Sequence, residues 1–575
     1  MNNKSRQNSN TPNRLSVANR AELKSKVGTR EGEMVYQADI DTTYTWFNTG
    51  VVDNGGTQIG TGAGWVHKPS GAVSAKVFGA KGDGATDDTV AIKKAIEFSS
   101  STGNTLDLQG LSYKSDAVDV SILDKISIVG NDASLSPFTS GMFLTSTGGT
   151  HNNLEFKGIN FDGYSRALNF VSPVFIDTAL VEKCTFNNIS LPVRFYADSY
   201  KEITVRNNII TDTIGSTAGE TVVAIGIGKD ITTKGVAYVY QNIIKNVSYN
   251  GADTGTGLDV HAIVGMGETI HIYKNTIHTV DTTMPTKTGC EAIYTKGMTV
   301  FIKDNKITDG GYLEGAITLK GNATREETSR VSGNSIFYRD NYPSPAGGIV
   351  SLHDNISISD NVIENCTHYG ITSPTSYAQY NRINIVNNII KNCKAVASIN
   401  IRTNGCEVVG NKIINPNHSG TGYGILVFAG TGVTIESVVL KDNVFIFDDS
   451  YSGAKYYSIR LAVSGGVFKK AFITGNEFVD NHSVNSYTLN FYNNSGLTDT
   501  IVYADNPIGT YYNTVGTSFN LTDLHGDSAV WTNEPTVGHY EIGERGYYRL
   551  PATKGFLGWV CSASPLTFKN FGAVV

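Results

Sequence analysis

The sequence predicts an all-β fold, a right-handed parallel β-helix, and three observations predict it. A short Asn-centred motif returns along most of the chain at a period of roughly 23–34 residues, which is one solenoid coil built of short strands. Composition favours strands and turns, with 61 glycines, 29 tyrosines and 24 phenylalanines against 14 prolines. A chain of 575 residues also exceeds what one ordinary hydrophobic core supports, unless the fold grows by repetition.

The motif is a turn residue, an Asn, any residue, then an apolar one. It reads Asn207-Asn208-Ile209-Ile210, Gln241-Asn242-Ile243-Ile244, Lys274-Asn275-Thr276-Ile277 and Asp304-Asn305-Lys306-Ile307. It continues as Gly333-Asn334, Asp360-Asn361, Asn387-Asn388, Gly410-Asn411, Asp442-Asn443 and Gly475-Asn476, and Lys183-Cys184-Thr185-Phe186 is an upstream relative. Asn tolerates the left-handed backbone of a tight turn, and Asn side chains stacked on successive coils can bond one another as a ladder. Cys366 and Cys393 each follow the motif at the same offset, one coil apart. They are expected to share an inward position roughly 4.8 Å apart, one strand spacing. A disulfide is possible there, although the six cysteines read mostly as buried thiols of a protein folded in a reducing cytoplasm. No CxxC pair suggests a metal, and no cofactor is expected.

Four segments follow. Residues 1–25 are polar and read as a docking peptide, and residues 26–75 as a small N-terminal segment. Residues 76–500 read as the β-helix and residues 501–575 as a small C-terminal β domain, rich in Tyr and Trp. In residues 75–98 Thr86 or Asp87 can cap a helix with Asp88 in its first turn. Ile92, Ala95 and Ile96 form its apolar stripe, so a helix over about 87–100 should cover the open end of the β-helix. The stretch from Met1 to Arg20 has no apolar core of a signal peptide, and no apolar run is long enough to span a bilayer. A net charge of −6 without a basic run excludes nucleic acid as a partner.

Chemistry is expected on an outer face, where coils place side chains in columns. Alternation puts Ile293, Ile317, Val350 and Ile399 inside and Tyr294, Thr318, Ser351 and Asn400 outside. Lys296, Lys320, His353 and Arg402 form a second outward column. Asp259, His261, Glu291 and Glu314 stand at the strand entrances. The loop carboxylates Asp212, Glu220, Asp230, Asp281 and Asp309 compete with these acids.

The segment VFGAKGDGATDDTVAIKKAI, with Asn-rich coils after it, resembles the entry motif of pectate-lyase-like phage tailspikes. The C-terminal GHYEIGERGYYRLPATKGFLGWVCSASPLTFKNFGAVV resembles the tail segment of capsule depolymerases. The resemblance implies a homotrimer on a virion tail, acting at the bacterial cell surface on a capsular or surface polysaccharide. The entry motif already begins at Val77, with only a short segment before it. That is similar to second tailspikes that dock on another phage tail protein through a short N-terminal peptide.

The family shares no catalytic motif, so the site is argued from these residues. Endo-cleavage by glycoside hydrolysis needs two carboxyl groups. Glu291 and Glu314, which begin strands on consecutive coils, are the first pair, with Asp259 as a substitute for either. Stacked carboxyls near ~5 Å suit retention, and a lateral offset suits inversion. Clustered acids should raise one pKa into the range of a proton donor. His261, Tyr294, Lys296, Lys320, His353 and Arg402 are expected to bind substrate. The alternatives are a lyase on a uronic-acid capsule, with His261 or Tyr294 as base, and a non-catalytic glycan-binding adhesin.

Overall fold

The computed structural model describes residues 15–573 apart from 140, 216–220, 252–258, 283–288, 313–314, 322–327, 340–341, 343–344, 374–380, 395, 417–420, 448–454, 481–485, 494–500, 506–510, 515–519, 523–529, 532–544, 549–555 and 564–566. The chain divides into two compact units, residues 1–211 and 212–575.

The first unit opens with a small sheet. Leu15–Val17 runs parallel to Met34–Gln37, which pairs antiparallel with Thr42–Val52, and that strand forms a hairpin with Gln58–Val66. Val17 and Leu23 pack with Tyr44, Trp46, Ile59 and Trp65. Residues 15–25 therefore belong to this domain, which corrects their assignment to the docking peptide. The two apolar side chains of an otherwise polar stretch decide it, because their burial outweighs the polar neighbours. Residues 1–14 lie outside the described residues.

A helix over Thr89–Thr102 follows and buries Ala91, Ile92, Ala95 and Ile96, the predicted stripe. Asp88 rather than Thr86 or Asp87 holds the N-cap position. Its carboxylate accepts from the Lys81 and Gly82 N–H groups (2.6 and 3.1 Å), so it ties the Gly-rich entry loop to the helix start. Strands then stack in parallel coils: Lys125–Ser136 on Thr150–Asp162, that on Phe175–Glu182, and that on Ser199–Arg206.

The second unit is a longer parallel stack. Its inner wall is a single-file column of Ile225, Ile263, Ile293, Ile317, Ile349, Ile371, Ile399, Ile425 and Ile459, each in register with the next and all buried. A second column is the Asn ladder. Asn242, Asn275, Asn305, Asn334, Asn361, Asn388, Asn411 and Asn443 each donate Nδ2–H to the Oδ1 of the next Asn, ending on Asn476, at 2.9 to 3.0 Å. That same Oδ1 also accepts the backbone N–H of the preceding Asn, as at Asn242 and Asn275 (3.0 Å each). A second Nδ2–H reaches a carbonyl of the previous coil, as from Asn275 to Val239 (2.9 Å). A fully buried amide thus has its oxygen and both its hydrogens partnered. The left-handed turn residue is not the ladder Asn but the residue before it, among them Gln241, Lys274, Asp304, Gly333, Asp360 and Asn387. The Asn is there for the ladder, and its neighbour for the turn.

Cys366 and Cys393 form a disulfide with Cα atoms 4.8 Å apart, which corrects the thiol reading for this pair. Cys184, Cys290 and Cys406 are free and buried. Parallel stacking runs on to Asn520–Thr522, past the expected boundary at 500. A separate sheet of Val530–Trp531, Arg545–Tyr548, Phe556–Ala563 and Thr567–Ala573 then closes the chain. Among the described residues no helix is long and apolar enough to cross a membrane.

Candidate active site

A repeat the Asn motif does not include builds the site. Nine successive coils of the second unit carry a variable residue, a small residue, then the inward Ile: Val223-Ala224-Ile225, His261-Ala262-Ile263, Glu291-Ala292-Ile293, Gly315-Ala316-Ile317, Gly347-Gly348-Ile349 and Tyr369-Gly370-Ile371. Ala397-Ser398-Ile399, Tyr423-Gly424-Ile425 and Tyr457-Ser458-Ile459 continue it. A Cβ at Gly348 would stand 2.2 Å from the Gly370 carbonyl oxygen, so the middle residue must be small where coils approach closely. The variable position is where function can be written without disturbing the wall.

In two neighbouring coils that position holds His261 and Glu291, paired in register. His261 Nδ1 lies 3.0 Å from Glu291 Oε2, with side chains only 6% and 3% exposed. Neither atom has an aligned hydrogen-bond partner among the described residues, so the contact is a close approach of two ionisable groups. A buried carboxyl so placed depends on a partner to carry charge.

Tyr294, half-buried in the next outward column, sets its ring 5.1 Å from that of His261. The Lys320 ammonium sits 5.3 Å from the centre of the Tyr294 ring, a cation–π contact. Asp259 stands two residues before His261, exposed at the strand entrance. Crowding by surrounding protein desolvates its carboxyl and raises its pKa above the usual Asp value; the Glu291 charge adds to the rise, while His261 and Lys320 oppose it. Asp259, His261, Glu291, Tyr294 and Lys320 thus lie near one another.

Other candidates fare differently. Glu314 lies outside the described residues. Lys296 is exposed, and the half-buried Arg402 places its guanidinium 4.9 Å from the Phe428 ring centre. His353 is not on the outer face. It is fully buried, with Nδ1 2.6 Å from the Asp354 carbonyl and Nε2 3.1 Å from that of Gly297. The error is one of register. Ile317 pairs with Ile349, not Val350, and Lys320 with Leu352, so His353 falls one residue past the strand. Val350 joins Tyr294 and Thr318 outside, and Ser351 points inward, paired with the buried Leu319. The variable-small-Ile pattern was the signal that would have set this register.

Among the competing acids, Asp309 is tied down. It accepts from the Arg339 backbone N–H at 2.9 Å and pairs with the guanidinium at 3.2 Å. Asp212 accepts from Asn246 Nδ2 at 2.9 Å, and Asp230 accepts both hydroxyl and N–H of Thr232. Glu220 lies outside the described residues. No group of three or more His, Cys, Asp or Glu among the described residues is arranged to hold a metal.

Among solved structures, the Dettilon tailspike protein is similar over 77% of this chain and 68% of its own, at 18% identity and a TM-score of 0.35. The GH87 α-1,3-glucanase of Streptomyces thermodiastaticus strain HF3-3 is similar over 73% of each chain, at 14% identity and a TM-score of 0.34. The Streptococcus pneumoniae surface protein and adhesin PfbA is similar over 73% of this chain and all of its own, at 14% identity and 0.36. No curated protein matches the chain. Residues 231–413, which hold the site from Asp259 to Arg402, match the family described as a right handed beta helix region.

Proposed function

We propose that this protein binds and endo-cleaves a bacterial surface polysaccharide by glycoside hydrolysis on the outer face of its β-helix. The observation that carries the reading is the meeting of Asp259, with its raised carboxyl pKa, and the buried His261–Glu291 pair on adjacent coils. Asp259 is the proton donor, since desolvation and the Glu291 charge favour its protonated form more than in an ordinary Asp, and a protonated carboxyl can deliver a proton to the leaving oxygen. Glu291, tied to His261, is the basic member. Asp259 pairs with Gly289, two positions before Glu291, so the two acids are offset along the strands by roughly 7 Å as well as by one coil. That offset favours inversion at the anomeric carbon over retention. The test is release of new reducing ends from purified polysaccharide, with the anomer of the product read by NMR. A product of retained configuration refutes the assignment of roles.

A lyase is the second reading, favoured by the His261–Glu291 contact itself. An imidazole oriented by a buried carboxylate suits proton abstraction beside a uronate carboxylate. Ultraviolet absorbance of an unsaturated uronate in the products would select it. Binding without any cleavage would select the adhesin.

The protein acts as a homotrimer on a virion tail, at the bacterial cell surface. Support for the trimer comes from Tyr238, His271 and Phe301, an outward column stacked at 4.9 and 4.8 Å with nearly parallel rings. Their faces are used on one another and only edges point outward, a poor platform for sugar stacking but a good packing surface. The polar residues 1–14 dock on another tail protein.

A further inference from the structure

The outward column beside the site has a charge pattern that composition does not explain. Its successive members are Met266, Lys296, Lys320 and Leu352, with Met266 paired to Lys296 and Lys320 to Leu352. Thr295 pairs with Leu319, so Lys296 and Lys320 follow one another on adjacent coils, their backbones about 4.8 Å apart. Thr372 pairs with Asn400, and the same register carries Arg402 into this column two coils beyond Leu352. In a chain of 52 acids against 46 Lys and Arg, these described positions hold three cations and no acid.

Like charges directly opposite across a strand pair destabilise the sheet. Isolated lysines on a solvated face need no explanation; Lys296 is exposed, but its neighbour is not simply solvated. Lys320 is half-buried and held over Tyr294, and its charge is felt at Asp259. Neither lysine forms an ion pair with a carboxylate among the described residues. An anion resting on the two ammonium groups would relieve their repulsion. Lys320 is also near enough to the proton donor for its charge to be felt there.

We infer that the substrate is an acidic polysaccharide and that Lys296 and Lys320 hold an anionic substituent of the sugar next to the cleaved bond. Arg402, further along the column, meets a second anionic group of the same chain. The inference rests on the proposed glycan site but concerns binding, so it is tested apart from cleavage. The probe is a panel of purified capsular polysaccharides, some bearing uronate or pyruvate and others neutral, titrated against the full-length Asp259→Asn protein. Binding should be confined to acidic members and should weaken steeply with salt. Adding Lys296→Gln and Lys320→Gln together should raise Kd at least tenfold without lowering Tm. A neutral polymer as the best binder, binding to none of the panel, or an unchanged Kd in the lysine variant would overturn it. If acidic binding and its lysine dependence stand while the wild-type protein cleaves nothing, it is the enzymatic reading that falls.

Discussion

Buried against His261, Glu291 acts with it as a unit, and the two should behave so in kinetics. Glu291→Gln and His261→Gln should each slow cleavage by about a hundredfold or more. The double variant should be about as slow as either single one, because removing half of a working pair already removes its function. Additive losses would mean the contact is incidental. Asp259 makes a pH prediction with a definite sign. Its folded pKa is raised by desolvation and by Glu291, so the folded protein binds this proton more tightly than the unfolded chain. The stability it contributes is complete below the ordinary Asp pKa and is lost as pH rises through the raised value. Activity that needs the protonated acid falls over the same rise. Asp259→Asn should flatten this decline in stability, followed as Tm against pH. The sequence placed Asp259, His261 and Glu291 together because their coil spacing was legible. It did not reveal that Glu291 is buried, because it read Glu291 as a strand entrance, whereas the strand begins at Gly289 and takes Glu291 inside its paired span.

At the scale of the coil, two repeats have separate tasks. The Asn ladder was legible, because its amide sits at a fixed step after each turn and little else bonds both above and below. Asn334→Ala removes the acceptor of Asn305 N–H and Nδ2–H and the donor to Asn361. Leaving such buried groups unpaired costs about 1–3 kcal/mol each, so a clear fall in Tm and faster unfolding are predicted. The variable-small-Ile repeat escaped the strand-based alignment, which slipped by one residue at Gly347–Gly348 and carried His353 outside. A one-residue slip reverses every side chain of a strand, so His353 and Ser351 went wrong together. Val17 and Leu23 were missed for a related reason: two apolar residues give no period to read. Ala292→Val at the small position should cost about 1–3 kcal/mol through overpacking, without changing the outward chemistry of Glu291 directly.

For the whole molecule, the coils build a parallel β-helix, and the proposed glycan site stands on it. The proposed trimer uses faces that a single copy leaves outward. Light scattering should give three copies, and Phe301→Glu should shift the protein towards monomer by placing charge in the stacked column; a wild-type monomer at micromolar concentration would remove the assembly from this account. Deleting residues 1–14 should leave cleavage intact and abolish incorporation into virions. The central claim is that Asp259 and the His261–Glu291 pair cut a polysaccharide. The most direct measurement is the rate at which purified capsular polysaccharide gains new chain ends with wild type and with Asp259→Asn, both checked for the same assembly and Tm. Wild type should shorten the polymer, and the variant should be slower by about a hundredfold or more. A polymer left intact by wild type, or cut as fast by Asp259→Asn, would contradict it.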